Sequence, residues 1–306
     1  MSLSQKTIAW LKRNADISLE GKTVVVTGAN SGVGFKTAET MLYLGADVIM
    51  ACRNLQRANA ARDVLAAGYP GSAVSVMELD LADLSSIDAF VGEIRRRGTD
   101  IDVFVNNAGV FHQPGRKTKD GFDLVIGTNW FGTYYLTEKL QPYLLSLPHA
   151  VRYVDTVSII IKIARIGYKD FYCDMFRHSS LAKYGRSKLC LAVYTWNKAK
   201  ELEGSNVKVL MNHPGIALTP LGLNAVPSWM AQLEKTGLVR LFNSPEKSSL
   251  SVAYILSHPI PAGAVVGPDR CLGGWGYPTL NRTPRKVKTG AGELIVYTEK
   301  EIMKSV

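Results

Sequence analysis

Residues Lys22 to Gly34 read KTVVVTGANSGVG. Thr23 to Val26 is a β-branched run suited to a buried strand, and it breaks at Thr27 into a turn containing Gly28, Asn30, Ser31, Gly32, Val33 and Gly34. Glycine accepts positive φ and lets the backbone come close to a ligand. Beyond the turn, Phe35, Ala38, Met41, Leu42 and Leu44 give one amphipathic helical run. A strand, a glycine turn and a helix start together build a pyrophosphate site, because unpaired amides and the helix dipole both favour negative charge there. The spacing is GxxxGxG rather than GxGxxG, so the placement between strand and helix carries the reading.

The same alternation of apolar strand and helical segment continues outward. Strands are predicted over residues 23–27, 46–51, 73–79, 102–105, 151–157 and 207–211, with a short one at 264–266. Helices fill the gaps, the longest over about 123–146 and 181–203, the latter burying Leu189, Leu191, Val193 and Trp196. This pattern predicts an α/β fold: a single-domain, doubly wound parallel sheet of about seven strands in the order 3-2-1-4-5-6-7, with helices on both faces. The ligand crosses the switch point at the strand carboxyl ends. Residues 1–20 form a helical extension and 21–306 the domain, since no low-complexity linker or repeat divides the chain.

Composition agrees with a folded catalyst. The 306 residues are 46% apolar, enough for a sizeable core. No apolar run approaches the roughly 20 residues needed to cross a bilayer, and the charged start MSLSQKTIAWLKRNADISLEGK reads as neither secretory signal nor anchor. Ile8, Trp10 and Leu11 form an apolar edge expected to dock on the core. Cys52, Cys173, Cys190 and Cys271 lie far apart with no CxxC and no histidine at ligand spacing, so neither a metal site nor a disulfide framework is expected, and reduced thiols place the chain in the cytoplasm. The net charge of +10 is spread out, clustering only at Arg95 to Arg97 and Arg282 to Lys288 without interleaved aromatics. It reads as a solvated basic surface, with no nucleic-acid partner.

The chemistry centres on YGRSK. Tyr184 and Lys188 are four residues apart on a predicted helix, so both leave the same face. By spacing alone the pair also fits a solvated surface contact. An ammonium about 4 Å from a phenol at an effective dielectric of about 20 favours the phenolate by roughly 4 kcal/mol, up to about three pKa units, enough for proton transfer near neutrality.

TGANSGVG at Thr27 to Gly34, LDL at Leu79 to Leu81, NNAG at Asn106 to Gly109, Asn129, Ser158, YGRSK and HPGIALT at His213 to Thr219 occur in this order. The set resembles the short-chain dehydrogenase/reductase family over roughly residues 20–260, and ACRN at Ala51 to Asn54 with GTNWFGTYYLT at Gly127 to Thr137 is most similar to its retinol dehydrogenase branch. Many members of that branch carry a membrane anchor, which this start does not resemble. The resemblance implies a Rossmann fold, a nicotinamide cofactor and a catalytic set of Asn129, Ser158, Tyr184 and Lys188. It assigns cofactor contacts to the glycine turn, to Asp80 and Leu81 at the adenine, to Asn107, Ala108 and Gly109 in the groove, to Tyr184 and Lys188 at the ribose, and to Pro214, Gly215 and Thr219 beside the carboxamide. It admits a homodimer through the two long helices as well as a monomer.

Cofactor choice follows from the end of the second strand. Met50-Ala51-Cys52-Arg53-Asn54 offers no carboxylate to the adenosine ribose, while the Arg53 guanidinium suits a 2′-phosphate, so NADP(H) is expected. Val157 stands where the family has the first of paired serines, and Ser158 takes the second's place, to donate to a substrate carbonyl or simply cap a turn. Asp155 places a charge inside an apolar strand, costly unless paired. Mid-helix Asn129 is a weak helix former, and the resemblance gives it a water chain toward Lys188. Ile159 to Leu181, with Ile159, Ile160, Ile161, Ile163, Phe171, Tyr172 and Phe176, and Leu218 to Asn243, with Leu221, Leu223, Val226, Trp229 and Met230, fit either an apolar pocket or core. The expected substrate is a lipophilic aldehyde, ketone or alcohol. A carbon–carbon double-bond reductase and a noncatalytic dinucleotide sensor are the alternatives.

Overall fold

The computed structural model describes residues 3–175, 179–217 and 242–305. Among them the strands are Thr23–Thr27 (β1), Asp47–Cys52 (β2), Val74–Glu78 (β3), Val103–Asn106 (β4), Val151–Thr156 (β5), Val207–Asn212 (β6), Val265–Arg270 (β7) and Trp275–Asn281 (β8). They form one sheet in the order β3-β2-β1-β4-β5-β6-β7-β8. All pairings through β7 are parallel, with Val24 beside Val48 on one side and Val103 on the other. The order reverses between β1 and β4, which opens the crevice where the glycine turn lies.

The predicted order of seven parallel strands is present and an eighth is added at the edge: β8 runs antiparallel to β7, with a register shift between Pro268 and Arg270. Gly273 and Gly276 at φ +92° and +126° turn the chain back, and a Cβ at Gly276 would lie 1.9 Å from the Asp269 carboxylate. In sequence GGWGYP carries no strand signal, because proline and glycine fit a strand only at a sheet edge or a bulge.

Helices Gln5–Asn14 (α1), Gly32–Tyr43 (α2), Leu55–Gly68 (α3), Leu84–Arg97 (α4), Leu124–Ile126 (α5), Thr133–Ser146 (α6), Ser179–Glu201 (α7), Pro245–Ser257 (α8) and Ala291–Met303 (α9) cover the sheet. One face buries Ile87, Phe104, Trp130, Tyr153 and Leu191. The other buries Val24, Val26, Met41, Met50 and Leu250, joined by Leu11 of α1. At the start of α1, the Ser4 amide and hydroxyl donate to Glu246 Oε1 at 2.8 and 2.6 Å.

The predicted helix over 123–146 is interrupted. Gly127–Gly132 forms a π-helical turn between α5 and α6. A Cβ at Gly127 would meet Thr118 Cγ2 at 2.3 Å and one at Gly132 would meet the Leu81 carbonyl at 2.0 Å, so this turn lies directly against the loops beside it. Such bulges are frequent at functional sites, and this one carries Asn129.

Candidate active site

A cleft of about 500 Å³ opens at the carboxyl ends of the central strands. Its floor on the β1 side is backbone. Gly28 and Gly32 take φ of +66° and +59°, and a Cβ at Gly34 would lie 2.4 Å from the Gly28 carbonyl. The Thr27 hydroxyl accepts from the amides of Asn107 and Ala108 at 3.0 and 2.9 Å, and Asn107 Nδ2 donates to the Thr27 carbonyl at 2.9 Å. Thr27 thus staples the loop after β4 to the glycine turn, a role its sequence position alone did not disclose. Asn30, Ser31 and Val33 line the cleft, and Ser31 precedes α2 without a side-chain cap, leaving the first helical amides to an outside acceptor. This cradle has the shape and donors for a pyrophosphate, and added side chains would fill it.

At the outer end lie Arg53, Asp80 and Leu81. Arg53 is half-exposed, with Nε 4.0 Å from Asp80 Oδ2, so a carboxylate does stand near the guanidinium although none follows β2 directly. Arg57 lines the cleft as well. Sequence reasoning missed it, although Arg53 and Arg57 are four residues apart across the Asn54 cap, whose side chain accepts from the Arg57 amide at 2.9 Å. Pro214 and Gly215 form the far wall; Gly215 has φ +74°, and its Cβ would meet the Gly274 carbonyl at 2.4 Å. Buried beside them, His213 is pushed down to about 3 by loss of solvent and is neutral. Thr219 lies outside the described residues.

Ser158, Tyr184 and Lys188 line the cleft together. The Ser158 side chain hydrogen-bonds Tyr184 and also accepts from the Ile160 amide at 3.4 Å, so it contacts the phenol and caps a turn at once. Phe111 packs edge-on to the Tyr184 ring at 5.3 Å. Burial raises the Tyr184 phenol above its ordinary value, against the Ser158 hydrogen bond. The expected lowering by Lys188 is therefore corrected. Lys188 Nζ donates to the Thr156 carbonyl at 2.8 Å, and the Asp155 carboxylate, beyond ion-pair distance, acts on it through space. Burial pulls the ammonium down to about 8, opposed by that carboxylate.

Asn129 stands behind the cleft, fully buried. Its Oδ1 accepts from the Val110 amide at 2.8 Å, and its Nδ2 donates to the Val110 carbonyl at 2.9 Å and Ser187 Oγ at 3.2 Å. It clamps the strand extension carrying Gly109 to α7. A Cβ at Gly109 would lie 3.1 Å from Asn129 Oδ1 and 3.5 Å from Lys188 Nζ, so Gly109 sits in tight contact with the Asn129 amide. Asp155 has hydrogen-bond partners: Asn106 Nδ2 donates to Oδ1 at 3.1 Å, and the single proton of Thr195 Oγ1 is divided between Oδ2 at 2.8 Å and the Leu191 carbonyl at 2.6 Å.

The isoleucine-rich stretch divides residue by residue. Ile159, Ile160 and Leu181 line the cleft, Ile161 and Phe171 join the core, and Ile163 is 74% exposed. Val157, Ile216 and Ala217 add apolar wall. Phe176 and the predicted pocket residues Leu221, Leu223, Val226, Trp229 and Met230 lie outside the described residues. Among the described residues no cluster of metal ligands occurs and no helix is long and apolar enough to cross a membrane.

Residues 22–228 match the sequence profile of the family described as short chain dehydrogenase. Retinol dehydrogenase 14 of Mus musculus is 38% identical over 252 residues, covering 79% of this chain and 75% of that protein. The crystal structure of an uncharacterized protein from Mycobacterium paratuberculosis superposes with a TM-score of 0.74 at 31% identity, covering 94% of this chain and 96% of the other. A short chain dehydrogenase from Burkholderia cenocepacia, solved with NADP, has a TM-score of 0.62 over 78% of this chain and 92% of its own, and at 22% identity attests the fold alone. With the glycine cradle, the parallel sheet and these matches together, the chain belongs to the short-chain dehydrogenase/reductase family of oxidoreductases, in its retinol dehydrogenase-like branch.

Proposed function

We propose that this protein interconverts a lipophilic aldehyde or ketone and its alcohol, using NADP(H). The observation that carries the reading is the convergence of Ser158, Tyr184 and Lys188 on one cleft whose opposite side is the glycine cradle. When bound, the nicotinamide supplies or accepts the hydride. The turn from Gly28 through Asn30, Ser31, Gly32 and Val33 to Gly34 would hold the pyrophosphate, Asp80 and Leu81 the adenine, Tyr184 and Lys188 the nicotinamide ribose, and Pro214, Gly215 and Thr219 the carboxamide, with Asn107, Ala108 and Gly109 shaping the groove between. Arg53, reinforced by Arg57, favours a ribose 2′-phosphate, because a planar fork of donors matches it.

Tyr184 acts as the acid in reduction. Its raised phenol pKa keeps the proton in place at neutral pH, and Ser158, bonded to it, donates to the substrate oxygen as charge develops there. Asn129 holds the backbone that aligns Gly109 with Lys188. Ile159, Ile160, Leu181 and Val157 exclude water and favour an apolar substrate, in keeping with the retinol named for the mouse relative. The buried free thiols of Cys52, Cys173 and Cys190 support a reducing, cytoplasmic setting.

The test incubates the protein with NADPH and a panel of lipophilic aldehydes, ketones and enones while following loss of reduced cofactor. Consumption with aldehydes or ketones, abolished by Tyr184→Phe, is expected. Consumption only with enones would establish a double-bond reductase, and cofactor binding without consumption a sensor.

A further inference from the structure

Asp155 is a carboxylate 1% exposed near the carboxyl end of β5, in register with Asn106 of β4. Its partners come from two elements: Asn106 at the end of β4, and Thr195 on α7. Lys188 and Thr195 are seven residues apart, two helical turns, so the face of α7 that presents Lys188 to the end of β5 presents Thr195 to the carboxylate below it. Lys188 Nζ in turn bonds the carbonyl of Thr156, the next residue along β5. A strand has no need of a carboxylate here, and a buried carboxylate without an opposite charge is costly by several kcal/mol.

We infer that Asp155 is the counter-carboxylate of Lys188, a positioning residue that keeps the lysine an ammonium in the closed floor of the cleft, and that Asn106 and Thr195 aim it. This rests on the role given to Lys188 above. The same network reaches the cofactor cradle, because Asn106 Oδ1 also accepts from the Thr27 hydroxyl at 3.3 Å.

Other titratable groups face the pair. Tyr153, on the same strand, has its hydroxyl bonded to Thr137 at 2.7 Å and Asn106 at 3.4 Å. Tyr194 of α7 donates to Glu138 of α6 at 2.5 Å, and Glu138 is paired with Lys198 at 2.8 Å. Burial pushes both phenols well above their ordinary range, so they stay neutral, as does Tyr184, raised by the same cause. Asp155 is pushed up to about 6 by burial, and Lys188 down to about 8. The two shifts run toward each other, so the pH window in which both groups are charged is narrowed from both sides.

The decisive measurement uses the protein without cofactor. Lysine Cε and Nζ resonances of isotope-labelled protein are titrated by NMR, with Lys188→Met assigning the relevant signal. Asp155→Asn, which keeps the shape, is expected to lower the Lys188 midpoint by about one unit, roughly a tenfold loss of proton affinity. An unchanged midpoint overturns the inference whether or not the enzyme turns over. In the NADPH assay, Asp155→Asn should remove the acid-side inflection near pH 6 and move the alkaline limb downward, whereas a purely structural role would lower the rate equally at every pH. Thr195→Val, which removes one bond to the carboxylate and suits a helix interior, should move the Asp155 carboxyl titration upward; no movement counts against the proposed aiming. Full turnover in Tyr184→Phe would refute the catalytic reading alone and leave the lysine titration to judge this one.

Discussion

On the β1 and β4 side of the cleft the wall is backbone, shaped by glycines at φ +66° and +59° and stapled by Thr27, whereas on the β5 and β6 side it is side chains, Val157, Ile159, Ile160 and Ile216. A backbone wall leaves no freedom, since a Cβ at Gly34 collides with a carbonyl that cannot move aside. A wall of apolar side chains can be repacked with little loss, because similar volumes substitute for one another. The first kind of wall suits a ligand that never changes, and the second a ligand that differs from one relative to the next.

The comparison breaks most sharply at the group that stands between the walls. Tyr184→Phe should lower kcat by about 10²–10⁴-fold with NADPH affinity retained; a parallel loss of affinity would place Tyr184 in the cofactor wall instead. Gly34→Ala should weaken NADPH binding or the fold by about 1–3 kcal/mol, measured by titration and melting, and an unchanged affinity would show the backbone wall to be yielding. Arg53→Ala should weaken NADPH by about 10–100-fold, in line with about 1.5–3 kcal/mol for a charge-assisted bond, and NADH far less; equal losses would deny the 2′-phosphate preference. Ile160→Ala should be the mildest, raising KM for bulky carbonyl substrates by about tenfold while leaving NADPH affinity alone.

A pH series on stability sharpens the contrast further. The folded pKa of Lys188 lies near 8, below its ordinary 10.5, so the stability linked to it is present above 10.5 and lost as pH falls through 8. Asp155 is raised from 3.8 to about 6, so its contribution is present below 3.8 and lost as pH rises through 6. Lys188→Met should therefore show a Tm that varies less between pH 7 and 10 than the wild type.

The backbone wall and the strands around it were legible in the sequence because their signals are local. A β-branched run marks β1, the apolar positions of Val151, Tyr153 and Val154 mark β5, and glycines mark the turn. The antiparallel β8 was hidden because its Gly276 and Pro278 are acceptable only at an edge, which is a property of the finished sheet. The π turn at Asn129 was hidden because it depends on Leu81 and Thr118 crowding two glycines from afar. The electrostatics of Tyr184 were misjudged for a similar reason. Helical spacing brings phenol and ammonium to one face, but burial of both and the pull of Thr156 and Asp155 on the lysine come from β5. Pocket and core within Ile159 to Leu181 share one composition, so only the path of the chain could separate Ile160 from Ile161.

The clasp of α1 on α8 and β8 has a consequence for biosynthesis. Ser4 finds Glu246 across 242 residues, and Trp10 stacks on Tyr277 of the last strand at 5.8 Å. At about 5–20 residues per second, roughly 12–48 s of translation separate the emergence of the two halves of that clasp. Through that interval the apolar edge of α1 awaits its mate, so a chaperone that shields nascent apolar segments should engage α1 and release it only when α8 arrives.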